Sequence, residues 1–167
     1  LKYESGMFFG TISGFAVEER SNADDSLLFA FQGGVSFEVS NSNKLIGGIG
    51  YMDYTNTVGN EPFYNGKGKG NSVDIDGNLA YEYKQVEVFA EYITKLGDYP
   101  LAFFANYVEN AKVDDYDTGY AVGAKIGKAG KSGTWEGSVA YQELEADAVI
   151  ATFTDSDNGR VQIIDSL

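Results

Sequence analysis

The stretch Leu27-Leu28-Phe29-Ala30-Phe31-Gln32-Gly33-Gly34-Val35-Ser36-Phe37-Glu38-Val39 decides how this chain folds. Its odd positions are Leu27, Phe29, Phe31, Gly33, Val35, Phe37 and Val39, and its even positions are Leu28, Ala30, Gln32, Gly34, Ser36 and Glu38. A β-strand turns successive side chains to opposite faces, so the alternation predicts one large apolar face and one small or polar face. The pattern returns in Val86, Val88, Ala90 and Tyr92 against Glu87, Phe89, Glu91 and Ile93. It returns in Leu101, Phe103, Ala105 and Tyr107, in Tyr120, Val122, Ala124 and Ile126, and in Trp135, Gly137, Val139 and Tyr141. Residues 3–18 and 44–57 carry apolar side chains on both faces, so pattern alone does not orient them. Helical periodicity is almost absent, which makes the chain all-β.

The connections between these strands alternate in length. Asn41-Ser42-Asn43, Gly97-Asp98-Tyr99-Pro100 and Ala129-Gly130-Lys131-Ser132-Gly133 are turn sequences with the residues tight turns favour. Residues 19–25, 58–85, 111–116 and 145–159 are longer links. Seven strands with strictly alternating connections, and an eighth beginning at Arg160, predict an antiparallel up-and-down barrel with one short-turn rim and one long-loop rim. A β-sandwich gives no reason for such alternation.

Composition narrows the chemistry. The 167 residues hold 12 Lys+Arg against 25 Asp+Glu, a net charge of −13. Nucleic acid is a poor partner for so acidic a chain, because phosphate recognition needs a positive surface. There is no Cys and no His. Disulfide frameworks, thiolate chemistry, His-ligated metals and His-dependent triads are thereby excluded. No apolar run approaches the ~18 residues a spanning helix needs, but barrel strands cross a membrane with short alternating segments. The chain starts at Leu1 and is expected to be a processed or internal piece of a longer protein.

Which face meets which solvent is suggested by residue size. The polar faces carry Gly34, Ser36, Gly119, Gly123, Gly127, Ser138 and Ala140 beside sparse charges, as suits a wall lining water. The apolar faces place Tyr107, Tyr120, Trp135 and Tyr141 near strand ends, where amphipathic rings favour a membrane boundary. A transmembrane β-barrel is therefore the expected fold, and a soluble eight-stranded barrel binding an apolar ligand inside is its first rival.

Residues 133–149, centred on Trp135-Glu136-Gly137-Ser138-Val139-Ala140-Tyr141, resemble a late strand and loop of a putative-porin family of Gram-negative bacteria, as do residues 153–157. Residues 117–120 and 123–129 resemble the preceding hairpin, and residues 86–91 and 51–57 fit as well. The resemblance implies an outer-membrane channel that passes small hydrophilic solutes by passive diffusion, in contact with outer-membrane lipid. It implies no enzyme, no cofactor and no catalytic residue. Family members are much longer and end in an aromatic closing strand, whereas this chain stops at Asp165-Ser166-Leu167. Residues 1–167 are therefore expected to form a single barrel segment, part of a larger barrel, with self-association into a homo-oligomer a further option.

On this reading the water-facing set includes Gln32, Glu38, Glu87, Glu91, Lys95, Asn106, Lys125, Glu136 and Gln142. Glu38, Glu87, Glu91, Lys125 and Glu136 are the charged pore-lining candidates singled out here. The acidic excess predicts mild cation preference, unless the charges pair across strands and only stabilise the wall. Glu87 and Glu91 stand ~13 Å apart on a strand, too far for paired-carboxylate glycoside hydrolysis.

Loop motifs add little chemistry. Gly66-Lys67-Gly68-Lys69-Gly70 lacks the spacing of a phosphate loop and is expected to be a flexible external loop. Ser72-Val73-Asp74-Ile75-Asp76-Gly77 opens like a calcium loop, but the twelfth position is Tyr83 where a bidentate Glu is needed, so no metal site is assigned. Glu143, Glu145, Asp147, Asp155 and Asp157 on one long loop, and Asp114, Asp115 and Asp117 on another, are best read as solvated surface charge, with binding of divalent ions or cation attraction at a pore mouth as the alternative. A small closed outer-membrane barrel whose loops act as an adhesin is the second rival function.

Overall fold

The computed structural model describes residues 1–21, 23–64 and 66–154 in full and the backbone of residues 161–165. The chain forms one nine-stranded sheet in which sequence order is spatial order. The strands are β1 (Lys2–Ser5), β2 (Phe8–Glu18), β3 (Ser26–Ser40), β4 (Asn43–Tyr54), β5 (Tyr83–Leu96), β6 (Tyr99–Asn110), β7 (Thr118–Gly127), β8 (Trp135–Leu144) and β9 (Val161–Asp165). Every neighbouring pair is antiparallel. Strands β1 and β9 are the ends of the sheet, and no pairing joins them among the described residues. Strands β2 to β8 run from 10 to 15 residues. That is enough for tilted strands to cross a hydrocarbon layer, which takes ~9–11 residues.

The up-and-down strands expected from the sequence are present, but strict alternation of short and long connections is not: residues 128–134 join β7 to β8 with seven residues, as many as residues 19–25 and 111–117 on the opposite rim. Residues 6–7, 41–42, 97–98 and 128–134 make the short-turn rim, and residues 19–25, 55–82, 111–117 and 145–154 lie on the long-loop rim. One expectation is refined: residues 3–18 are two strands. Gly6 turns the chain with φ 58°, a left-handed conformation that glycine adopts without steric cost, and β1 folds back on β2. The long link begins at residue 55 and ends at residue 82, three residues earlier than expected at each end. Arg160, Asp155 and Asp157 lie outside the described residues.

Strand pairing fixes the two faces. Phe29, Phe31, Ile49, Val86, Val88, Phe103, Val122 and Val139 share one face through the register. They are between 41% and 64% exposed. The apolar face is thus the uncovered one. The hydrophobic core lies on the opposite, polar face at its long-loop end. It consists of Tyr54, Phe63, Leu79, Tyr83 and Ile150, with Val17, Leu28 and Met52 packed against it. Leu28, Tyr54 and Tyr83 occupy one row across β3, β4 and β5. This explains why residues 44–57 are apolar on both sides: Leu45, Ile49 and Tyr51 serve the uncovered face, while Met52 and Tyr54 receive the loops.

Candidate functional site: the polar wall and the loops across it

All five charged candidates fall on the polar face. Register places Glu38, Glu87, Glu91 and Lys125 there, and Glu136 joins them opposite Gly127. Gln32, Lys95, Asn106 and Gln142 share that face. Their surroundings differ. Lys125 Nζ meets Glu136 Oε1 at 2.9 Å, a cross-strand pair that balances its own charge. Glu38 stands opposite Lys44, a base that the sequence pattern missed because residues 44–57 could not be oriented. Glu87 lies between Gly50 and Val108, and Glu91 between Ile46 and Phe104, so neither carboxylate has a basic register partner. Asn106 Nδ2 donates to Glu87 Oε1 at 3.2 Å and fixes that side chain.

The glycines of this face make room for aromatic rings. A Cβ on Gly48 would stand 2.6 Å from Phe89 Cζ, and one on Gly34 would stand 2.6 Å from Phe9 Cζ. Phe9 and Phe89 themselves approach to 6.4 Å between centroids. Gly123 is covered by Phe104 in the same way. The small residues of the polar face are therefore partly sockets for rings as well as lining.

Two loops fold onto this face. The β4–β5 loop, residues 55–82, is held at one side by Arg20, whose Nη1 donates to Ser26 Oγ at 2.6 Å and Nη2 to Glu61 O at 3.4 Å. The same guanidinium lies 5.7 Å from the Phe63 ring centroid, within cation–π range. At the other side Asn71 Nδ2 donates to Ala146 O and Val149 O, both at 2.7 Å, and Asn71 Oδ1 accepts from Ala151 N at 2.8 Å. Phe153, in a short 3-10 turn (Ala151–Phe153), stacks on Tyr54 at 6.0 Å. Residues after β8 thus reach β4, four strands away along the sheet, or ~19 Å at the usual strand spacing. The two loops form a strap across the polar face at its long-loop end.

Asp147 joins the strap to the wall. It is 1% exposed and accepts from Ser72 N at 2.9 Å, Ser72 Oγ at 2.6 Å and Tyr83 Oη at 2.7 Å. Asn110 Nδ2 donates to Asp147 O and to Glu82 O, each at 3.0 Å. The expectation of a solvated acidic run fails here, because the strap buries this carboxylate among donors. Glu143 is also no loop residue. It is the penultimate residue of β8, on the apolar face, and accepts from Tyr120 Oη at 2.8 Å and Tyr141 Oη at 3.2 Å. Glu145 accepts from Thr118 Oγ1 at 2.7 Å and Thr118 N at 3.0 Å, which hold its carboxyl below the ordinary carboxylate value, the side-chain bond most. Among the described residues no group of three or more His, Cys, Asp or Glu could hold a metal ion.

The expected calcium-like stretch is a hairpin tip. Asp74 Oδ1 accepts from Asp76 N and Asn78 N, both at 2.9 Å, and Val73 bridges to Leu79. Its carboxylate is used on its own backbone.

The apolar face is bordered by rings and charges. Tyr107 Oη donates to Glu109 Oε2 at 3.2 Å, next to the Tyr120–Tyr141 pair at 6.1 Å. Asp53 and Lys84 pair at 3.2 Å at the same end. At the short-turn end Tyr99 and Trp135 meet at 5.4 Å. Tyr99 and Tyr107 bracket ~26 Å of β6.

An apolar band exposed between two aromatic borders, on an up-and-down sheet whose other face is polar and strapped, defines the wall of a channel-type barrel. A family model described as putative porin matches residues 69–160, more than half of the chain, and the chain belongs to that family. No curated protein and no solved structure matches it.

Proposed function

We propose that this chain is wall and constriction of an outer-membrane channel for passive diffusion of small hydrophilic solutes, with mild preference for cations. One observation carries the reading: the large apolar side chains are on the uncovered face and the loops pack on the polar face. A soluble barrel reverses this, burying its large residues inside. Lipid covers an apolar band without orphaning the backbone of β2 to β8, because each of those strands is paired on both sides within the sheet. The longest loop lies against the polar face, which also favours a channel over an adhesin that projects its loops.

Cation preference rests on Glu87 and Glu91, the two acids without basic neighbours in the register. Planar-bilayer recording of the full-length protein in a potassium chloride gradient tests the reading. Stable ohmic steps with a mildly cation-selective reversal potential are expected, and the E87K/E91K double variant should reduce that preference. Absence of conductance, or anion selectivity in the unaltered protein, would overturn it.

A further inference from the structure

A pocket of about 200 Å³ opens on the polar wall, lined by Thr11, Ser13, Gln32, Gly50, Met52 and Glu87 among others. Its floor is made by absence. Gly50 faces Gln32 on β3 and Glu87 on β5, and a Cβ there would stand 3.1 Å from Glu87 Oε2. Glu87 uses that space to lie toward β4, while Asn106 holds its other oxygen. Oε2 is left facing the pocket side of the wall. Among the described residues, neither Oε2 of Glu87 nor the side chains of Thr11, Ser13 and Gln32 make a hydrogen bond within the wall.

We infer that this pocket is a binding subsite for an alkylammonium cation inside the channel. The inference rests on the channel reading above and names a solute class for it. The chemistry of the lining selects the ligand. No Lys or Arg lines the pocket, and Lys2, the register partner of Thr11, stands on β1, four strands from Glu87, so a carboxylate or phosphate at the pocket floor would meet the Glu87 charge first. A divalent metal needs several hard oxygens at short range, and one carboxylate with amide and hydroxyl neighbours is a poor set. An ammonium head carries three N–H donors and one positive charge. It can donate to Glu87 Oε2, to the Gln32 carbonyl and to the Thr11 or Ser13 hydroxyl, and the bond to the ionised carboxylate is the strong one. Met52 gives the short alkyl group an apolar contact. The site is open to the wall, so binding is weak enough to permit transit, as conduction requires.

The test is ethylammonium chloride added to the full-length channel in planar bilayers conducting potassium. Tetramethylammonium chloride, a monocation with no N–H, is the control. Ethylammonium should lower the potassium current in a saturable way at millimolar concentration, and tetramethylammonium should lower it at least ~tenfold less effectively, the ratio expected from one lost charge-assisted bond. Gly50→Ala should weaken the ethylammonium effect by a similar factor, because it fills the space in which Glu87 lies. Thr11→Val, nearly the same shape without the hydroxyl, should weaken it by a smaller factor. Equal block by both cations, or block indifferent to Gly50→Ala and Thr11→Val, would overturn the subsite while cation-selective current upheld the channel. No current at all would overturn both.

Discussion

Tyr83, the first residue of β5, donates its hydroxyl hydrogen bond to Asp147 in the loop after β8, across 2.7 Å. Three strand spacings separate those elements along the sheet, so the bond exists only because the loop lies back over the polar face. Tyr83→Phe should cost about 1 kcal/mol, the usual net worth of a single bond, and Asp147→Ala about 3 kcal/mol, because it orphans Ser72 and Tyr83 donors together. Urea titration in detergent checks the sizes. Limited proteolysis checks the mechanism: Asp147→Ala should expose residues 55–82 to cleavage while the strand circular dichroism persists. Unchanged protease resistance would show that Asp147 does not pin the strap.

Gly47 and Gly48 are neighbours with opposite fates. A Cβ on Gly48 would meet Gly33 O at 2.5 Å and the Phe89 ring at 2.6 Å, whereas one on Gly47 finds its nearest atom, Phe89 O, at 3.7 Å. Gly48→Ala should destabilise the sheet by ~1–3 kcal/mol or prevent folding, through overpacking against backbone that cannot yield. Gly47→Ala should change stability by under ~0.5 kcal/mol. Folding yields and urea midpoints of the two variants, measured side by side, decide the matter.

Glu145 sets an acid limit on the long-loop rim. Its folded value lies below the ordinary 4.5, because Thr118 donates to the ionised carboxylate through its hydroxyl and its backbone amide. Stabilisation from a depressed carboxyl is fully present above its unfolded value and is lost as pH falls through the folded value. Cleavage susceptibility of the β6–β7 and β8–β9 loops should therefore rise on acidification below pH ~4.5. Glu145→Gln should flatten that pH dependence, and an unaltered profile would assign it to another group.

Lys125 and Glu136 balance each other on the wall. The exchanged pair K125E/E136K should keep both the stability and the reversal potential of the parent channel. Either single exchange should shift the reversal potential, but cost no more than ~1 kcal/mol in stability because the pair is partly exposed. A changed potential in the double variant would show that the two positions see different fields.

Much of this was legible in alternation alone. Leu27 to Val39 and the segments carrying Glu87, Tyr120 and Trp135 announce their faces because one side is uniformly large, and pairing then carries each parity across the sheet. Residues 3–18 hid a turn, since β1 is only the short and mostly polar Lys2-Tyr3-Glu4-Ser5 and Gly6-Met7 is not a strong turn pair. Lys44 stayed unplaced because β4 carries an uncovered apolar face on one side and a loop core on the other. Asp147 looked like one acid in a charged run. Nothing local distinguishes it from Glu145, because its burial depends on Ser72 and Tyr83, more than sixty residues earlier in the chain.

The central claim is that the Glu87 side of the sheet faces water and the Val88 side faces lipid. The chain has no cysteine, so single Glu87→Cys and Val88→Cys variants report their own faces without background. In proteoliposomes of the full-length protein, a charged, membrane-impermeant thiol reagent should modify Glu87→Cys readily and reduce the single-channel current, while Val88→Cys stays unmodified. Rapid modification of Val88→Cys with protection of Glu87→Cys would contradict the account.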